Sequence, residues 1–242
     1  MNQSASDDDE LISRPSQVTQ QLLELIARDN LRPGDPVPSE VQFSRELQVS
    51  RNSVRESYRA LAALGVIEIG TGRRPRLMAM SSDVVSQVFG YALTTAQVTV
   101  SHVMETRRGV EIQSAQLAAL RATKAQKDEL REHVAEMRAA IDDHQRRIVA
   151  DLAMHRKLAE ASRNPLNTLL LDALHDPLKK SMLLDLGEQR TEAELIRIVD
   201  AHEAIVDRVC VGDAVGAGAA MSCHFDMSSN IMLRIGSDQE VT

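Results

Sequence analysis

Asp151 and His155 stand four residues apart, a spacing that puts a carboxylate and an imidazole on one helix face, one turn from each other. His202 falls in Ile198-Val199-x-x-His202-x-x-Ile205-Val206-x-x-Val209, beside an apolar stripe, so its ring is expected to point inward. His224 follows on the next predicted helix. Three imidazoles and one carboxylate from three helices suit a borderline divalent metal ion: Zn2+, Ni2+ or Mn2+, with zinc the leading choice. The commoner fate of an isolated Asp-x-x-x-His pair is a surface Asp and a core or surface His. The remaining histidines, His102, His133, His144 and His175, show no such arrangement and read as ordinary.

A second group of residues suits a polyanion. Arg51, Arg55 and Arg59 form an i, i+4, i+8 stripe on a predicted helix, opposite the apolar positions Val54, Leu61 and Leu64. Asn52 and Ser53 occupy its first turn. An α-helix fits the DNA major groove, where Arg can read guanine and Asn adenine from base edges. The helix starts after Ser39 and Ser50 offer backbone amides to phosphates. Arg73, Arg74 and Arg76, in a Gly-bearing tip between two β-prone runs, can follow the DNA backbone or minor groove.

Those residues need elements to hold them. Of the 242 residues, 43% are hydrophobic but only 2% aromatic, so the core must be aliphatic, which favours packed helices over a β-sandwich or barrel. Residues 1–10 are polar and acidic and read as a disordered tail, not a signal or transit peptide. Residues 11–80 carry a net charge of +3 and residues 81–242 one of −6, so the first segment is the one suited to nucleic acid. Cys210 and Cys223 make neither a disulfide framework nor a C-x-x-C motif. No apolar run reaches membrane-spanning length, and a cytoplasmic protein is expected.

The first segment orders as helix, short helix, tight turn, helix and hairpin, a winged helix-turn-helix. Ser39 and Gln42 have the spacing of a capping box. Beyond Ser81 the pattern is helical throughout, with helices predicted over 82–95, 100–122, 124–142, 145–162, 165–184, 190–211 and 213–235. Breaks fall at Asn164-Pro165, Gly187 and Gly212-Asp213, and short connections imply an antiparallel bundle. The fold class is thus mainly α. Its divisions are residues 1–10, a DNA-binding unit over 11–80, a helical unit over 81–236 and a C-terminal tail over 237–242. Arg107 lies on the inward stripe Val103, Arg107, Val110, Ser114, Leu117. A buried Arg needs a partner: a bound carboxylate, held bidentately, or an internal ion pair with Glu105 or Glu111. Asn164 is a weaker pocket candidate, since Asn-Pro can simply end a helix.

Pro33-Gly34-Asp35-Pro36-Val37-Pro38-Ser39-Glu40, with Val49-Ser50-Arg51-Asn52-Ser53-Val54-Arg55-Glu56 and Leu61-x-x-x-Gly65-Val66-Ile67, resembles the N-terminal domain of GntR-superfamily transcription regulators over residues 14–80. The resemblance implies operator contacts at Ser50, Arg51, Asn52, Ser53 and Arg55. Two departures are Val41, where the family often has Arg, and Arg74-Pro75, where its wing usually has Gly. Asp151-Leu152-Ala153-Met154-His155-Arg156, Ala159-Glu160-Ala161-Ser162-x-Asn164-Pro165, Ala201-His202-Glu203-Ala204-Ile205 and His224 resemble the FCD ligand-binding domain of the FadR-type subfamily, over residues 82–235. In its metal-containing members the positions matching Asp151, His155, His202 and His224 bind the ion. Met104-Glu105-Thr106-Arg107-Arg108-Gly109-Val110-Glu111 resembles a further signature of that domain.

The function expected is a homodimeric transcription regulator, a repressor by preference, on double-stranded operator DNA. Its affinity is expected to respond to a small organic acid at a metal site. The alternatives are a metal-dependent hydrolase, for which no His-Glu-x-x-His or nucleophile motif is found, and a DNA-binding protein without a ligand.

Overall fold

A computed structural model describes residues 14–185 and 191–239, and the chain divides after Val84 into two compact units. The sequence places that division after Met80. The N-terminal tail proposed for residues 1–10 lies outside the described residues.

The first unit comprises α1 (Arg14–Arg28), α2 (Glu40–Leu47), α3 (Arg51–Ala63) and a hairpin of β1 (Ile67–Glu68) and β2 (Arg76–Leu77). Val18 and Leu22 of α1, Phe43 of α2, and Val54, Tyr58 and Leu61 of α3 close over Val37 and Ile67 in one largely aliphatic core. Burying each of the larger side chains contributes about 1.5–3 kcal/mol. The Tyr58 hydroxyl donates to the Pro38 carbonyl at 2.8 Å, fixing the approach to α2. Ser39 caps α2 by accepting from Gln42 N, and Ser50 caps α3 by accepting from Ser53 N. The reciprocal half of the predicted capping box does not form. The Gln42 side chain instead donates to Glu46 at 2.9 Å and accepts from Arg74 at 2.8 Å. Between the helices Gln48 turns the chain with φ 54°. The two β-prone runs, residues 66–69 and 77–80, yield strands of only two residues each, the second starting one residue early at Arg76, registered Ile67↔Leu77 and Glu68↔Arg76. Pro75 has no N–H with which to continue the ladder.

The second unit is a bundle of α4 (Asp83–Thr94), α5 (Val100–Arg121), α6 (Lys124–Ala139), α7 (His144–Ala161), α8 (Pro165–Asp185), α9 (Glu192–Val211) and α10 (Ala214–Gln239). Capping boxes open α5 at Thr99, α6 at Thr123 and α9 at Thr191, and Asp143 caps α7. Gly212 ends α9 with φ +81°, a conformation that disfavours any other residue there. The predicted break at Gly187 lies outside the described residues, and α10 runs on to Gln239, into the stretch assigned to a tail. The core joins Ala115, Ala118 and Leu130 to Met154, Leu158, Val199, Ile205, Val209, Met221 and Phe225. Small residues bring α5 and α10 close: a Cβ on Gly218 would meet the Gln116 side chain at 2.6 Å. α5, α7, α9 and α10 therefore meet along the bundle interior, which a polar cluster interrupts.

Candidate functional site

Three imidazoles converge inside the bundle: His155 on α7, His202 on α9 and His224 on α10, all buried. One ligand atom from each lies within 4.8 Å of the others. Asp151, one turn before His155, joins them with its Oδ1 2.9 Å from His202 Nε2 and 4.0 Å from His155 Nε2. His155 Nε2 and His202 Nε2 are 3.2 Å apart. Adjacent donors held at about 2.0–2.2 Å by one ion lie roughly 2.8–3.6 Å from each other, from octahedral to tetrahedral angles.

Proton positions can be deduced from the partners. His202 Nδ1 is 2.7 Å from the Ile198 carbonyl oxygen, which only accepts, so Nδ1 carries the proton. In the neutral ring Nε2 then presents a bare lone pair to Asp151 and His155. His155 Nδ1 meets Glu111 Oε2, a carboxylate oxygen buried on α5. This contact likewise leaves His155 Nε2 facing the cluster. Nitrogen and oxygen acceptors thus point at one another, an arrangement that a cation relieves. His224 Nδ1 is buried with no hydrogen-bond partner among the described residues. This donor set fits a divalent metal ion.

Where protons on the rings, rather than an ion, offset the acids, the same groups shift one another. Burial alone would raise the Asp151 pKa, but the adjacent His202, then His155 and His224, hold it well below the usual carboxylate range. Burial likewise works against the Glu111 carboxylate, and His155 and Arg107 overcome it, keeping it ionised. His155 is lowered by burial and raised more by Glu111 and Asp151, for a net upward shift. Burial, then its imidazole neighbours, push His224 well below its ordinary value, so its ring stays neutral and able to donate a lone pair.

Arg107 points inward as expected and is 3% exposed, with Glu111 as its partner: Nε donates to Oε1 at 3.0 Å. The internal ion pair is therefore formed. The other edge of the guanidinium has weaker company, with Nη1 3.4 Å from the Met104 sulfur and the group 5.8 Å from the centre of the Phe225 ring. Asn164 is occupied as a helix start. Its Oδ1 accepts from Leu166 N and its Nδ2 donates to Asn167. Asn167, buried, carries the hydrogen-bond chain on to Ser114 at 3.1 Å.

Two members of the cluster escape the sequence reading as site residues. Glu111 enters it only as a partner for Arg107. His175, read as ordinary, is buried on α8 with Nε2 3.8 Å from Glu111 Oε1 and its ring 6.3 Å from that of His155. Its position one turn after buried Leu171 is the available signal. His102, by contrast, completes the cap of α5.

In the first unit, Arg51, Asn52, Arg55 and Arg59 are exposed on α3 while Val54 and Tyr58 are buried, with Ser53 half-buried. Asn52 donates to Glu56 at 3.0 Å and accepts from Arg55. Arg73 and Arg74 are exposed at the hairpin, and Arg74 reaches across to Gln42 on α2. Among the described residues no helix is long and apolar enough to cross a membrane.

Comparison with known proteins agrees with this division. The family model for "Bacterial regulatory proteins, gntR family" matches residues 15–76, and that for the FCD domain matches residues 102–227. The chain is 30% identical to the HTH-type transcriptional regulator LutR of Bacillus subtilis, over 86% of this chain and 96% of that protein. It is also 30% identical to the HTH-type transcriptional repressor NanR of Cronobacter sakazakii, over 86% and 81% of the two chains. A solved GntR structure from Streptococcus agalactiae shares the fold, with a TM-score of 0.66 at 24% identity, covering 88% of this chain and 98% of that one. Such relatives are named as regulators, not enzymes. With a capped arginine-bearing helix in one unit and a helical bundle in the other, the chain belongs to the gntR family of bacterial transcription regulators and carries an FCD domain.

Proposed function

We propose that this protein is a repressor that binds double-stranded operator DNA as a homodimer and releases it in response to a small organic acid. In this reading Asp151, His155, His202 and His224 hold a divalent metal ion, and the acid's carboxylate lies between that ion and Arg107. The observation that carries the reading is the convergence of His155 Nε2, His202 Nε2 and Asp151 Oδ1. The ion would supply a Lewis-acidic seat for a carboxylate oxygen. Arg107 would meet the second oxygen through its terminal nitrogens, because its Nε is already committed to Glu111. With a divalent ion beside Asp151, and Arg107 balanced by Glu111, the buried cluster holds one surplus positive charge that a carboxylate neutralises. Without the ion, an incoming acid meets an uncompensated Asp151. Acid binding should therefore require the metal. For DNA, α3 would enter the major groove with Ser50, Arg51, Asn52, Ser53 and Arg55, while Ser39, Arg73 and Arg74 meet the backbone. The NanR relative, named as a repressor, supports the sign.

The test is metal analysis of the purified protein, followed by a thermal-shift screen of small carboxylates with and without chelator. Binding at 100 times Kd should stabilise by about 2.7 kcal/mol. Stabilisation that persists unchanged in chelator would remove the metal from the reading.

A further inference from the structure

Behind each of two imidazoles of the cluster stands a buried acceptor, in hydrogen-bonding geometry for His202 and in close ion-pair contact for His155. For His202 that acceptor is the Ile198 carbonyl, on the same helix one turn earlier. For His155 it is Glu111, brought from a different helix, α5. The same Glu111 carboxylate uses its other oxygen to hold Arg107 Nε at 3.0 Å. Glu111 is 1% exposed, so neither contact is diluted by water.

We infer that Glu111 is a positioning residue: it sets which nitrogen His155 offers to the metal ion and, through its second oxygen, ties that choice to Arg107. The inference rests on the reading of the imidazole cluster as a metal seat. A neutral imidazole holds one ring proton. With Oε2 against Nδ1, that proton belongs on Nδ1 and Nε2 is free to ligate. Without the carboxylate, nothing among the described residues opposes the other tautomer, which places a proton where the ion must sit. The Arg107 side of the contact matters for the same reason. A guanidinium against Oε1 holds the carboxylate plane and limits how Oε2 can turn, so a change at Arg107 reaches the metal ligand without touching it. His175 Nε2, 3.8 Å from Oε1, stands beyond hydrogen-bonding range and does not share the grip.

The experiment uses the full chain and zinc alone, with no acid. Zinc affinity is measured by competition with a chromophoric chelator in wild type, Glu111→Gln, Arg107→Met and the double variant. Imidazole 15N shifts report the His155 tautomer in the metal-free proteins, at a pH where the ring is neutral. Glu111→Gln is expected to weaken zinc by about 10–100-fold, the usual cost of losing an outer carboxylate partner. It should also move His155 from the Nδ1–H form towards Nε2–H. Arg107→Met should change zinc affinity when Glu111 is present and leave it within about twofold in the Glu111→Gln background, a non-additive pair. If Glu111→Gln alone does not fold, the double variant, which removes both buried charges, carries the tautomer measurement. A lowered melting temperature with zinc affinity and tautomer unchanged overturns the inference and leaves Glu111 a structural ion pair. Absence of zinc binding in wild type would instead overturn the metal seat, while the tautomer shift still decides the role of Glu111.

Discussion

His155 is held at both of its ring nitrogens, and this accounts for most of what the cluster can do. One nitrogen faces Asp151 and His202, the other faces Glu111. The sequence displays the inner half of that arrangement. The four-residue step from Asp151 and the apolar stripe around His202 both follow from helical periodicity. The outer half is not legible there, because nothing local to Glu111 or His175 says that α5 and α8 pass behind His155. A related consequence concerns Arg107. Its replacement by Ala removes the acid's proposed anchor and also strands Glu111 as a buried carboxylate that has lost its guanidinium partner. Arg107→Ala is expected to lower stability by about 3–5 kcal/mol in urea unfolding of the metal-free protein. A cost below about 1 kcal/mol, the scale of an exposed pair, would mean that Glu111 is satisfied without Arg107. His202→Ala is expected to abolish stoichiometric zinc in metal analysis while the first unit still binds DNA.

At the scale of elements, caps make the boundaries readable. Thr99, Thr123, Asp143, Thr191, Ser39 and Ser50 each stand one residue before a helix and accept from its first turn. Asn164 shows the limit of such reading. The same side chain fits a pocket or a helix start, and in the structure it bonds Leu166 N and Asn167 at the start of α8. Gln42 has the spacing for a box, yet Arg74 and Glu46 claim its two ends. A hairpin 32 residues away is invisible to a local pattern. Ser50→Ala should destabilise the first unit by about 1 kcal/mol and weaken operator binding in a mobility-shift titration, because the start of α3 loses its cap. If melting is unchanged, Ser53 N finds another acceptor. Gly212→Ala, at φ +81°, is expected to cost more than about 1 kcal/mol from backbone strain alone, read from the melting temperature.

Over the whole molecule, charge separates the work. The net +3 of residues 11–80 against the −6 of residues 81–242 leaves DNA to the first unit, in agreement with where the gntR family model matches. Operator affinity should therefore fall steeply with salt, with a log–log slope of about −0.9 per phosphate contacted. Arg51→Ala or Arg55→Ala should reduce that slope by about one each if the side chain meets a phosphate, whereas Asp151→Asn should leave it unchanged. A slope altered by Asp151→Asn would place the second unit in contact with the nucleic acid.

The four donors are strung along α7, α9 and α10, with His224 the last of them. During synthesis, then, no emerging chain can chelate fully until α10 has cleared the ribosome and folded back beside α5 and α9. On the metal reading proposed above, a loaded centre would thus certify a finished bundle.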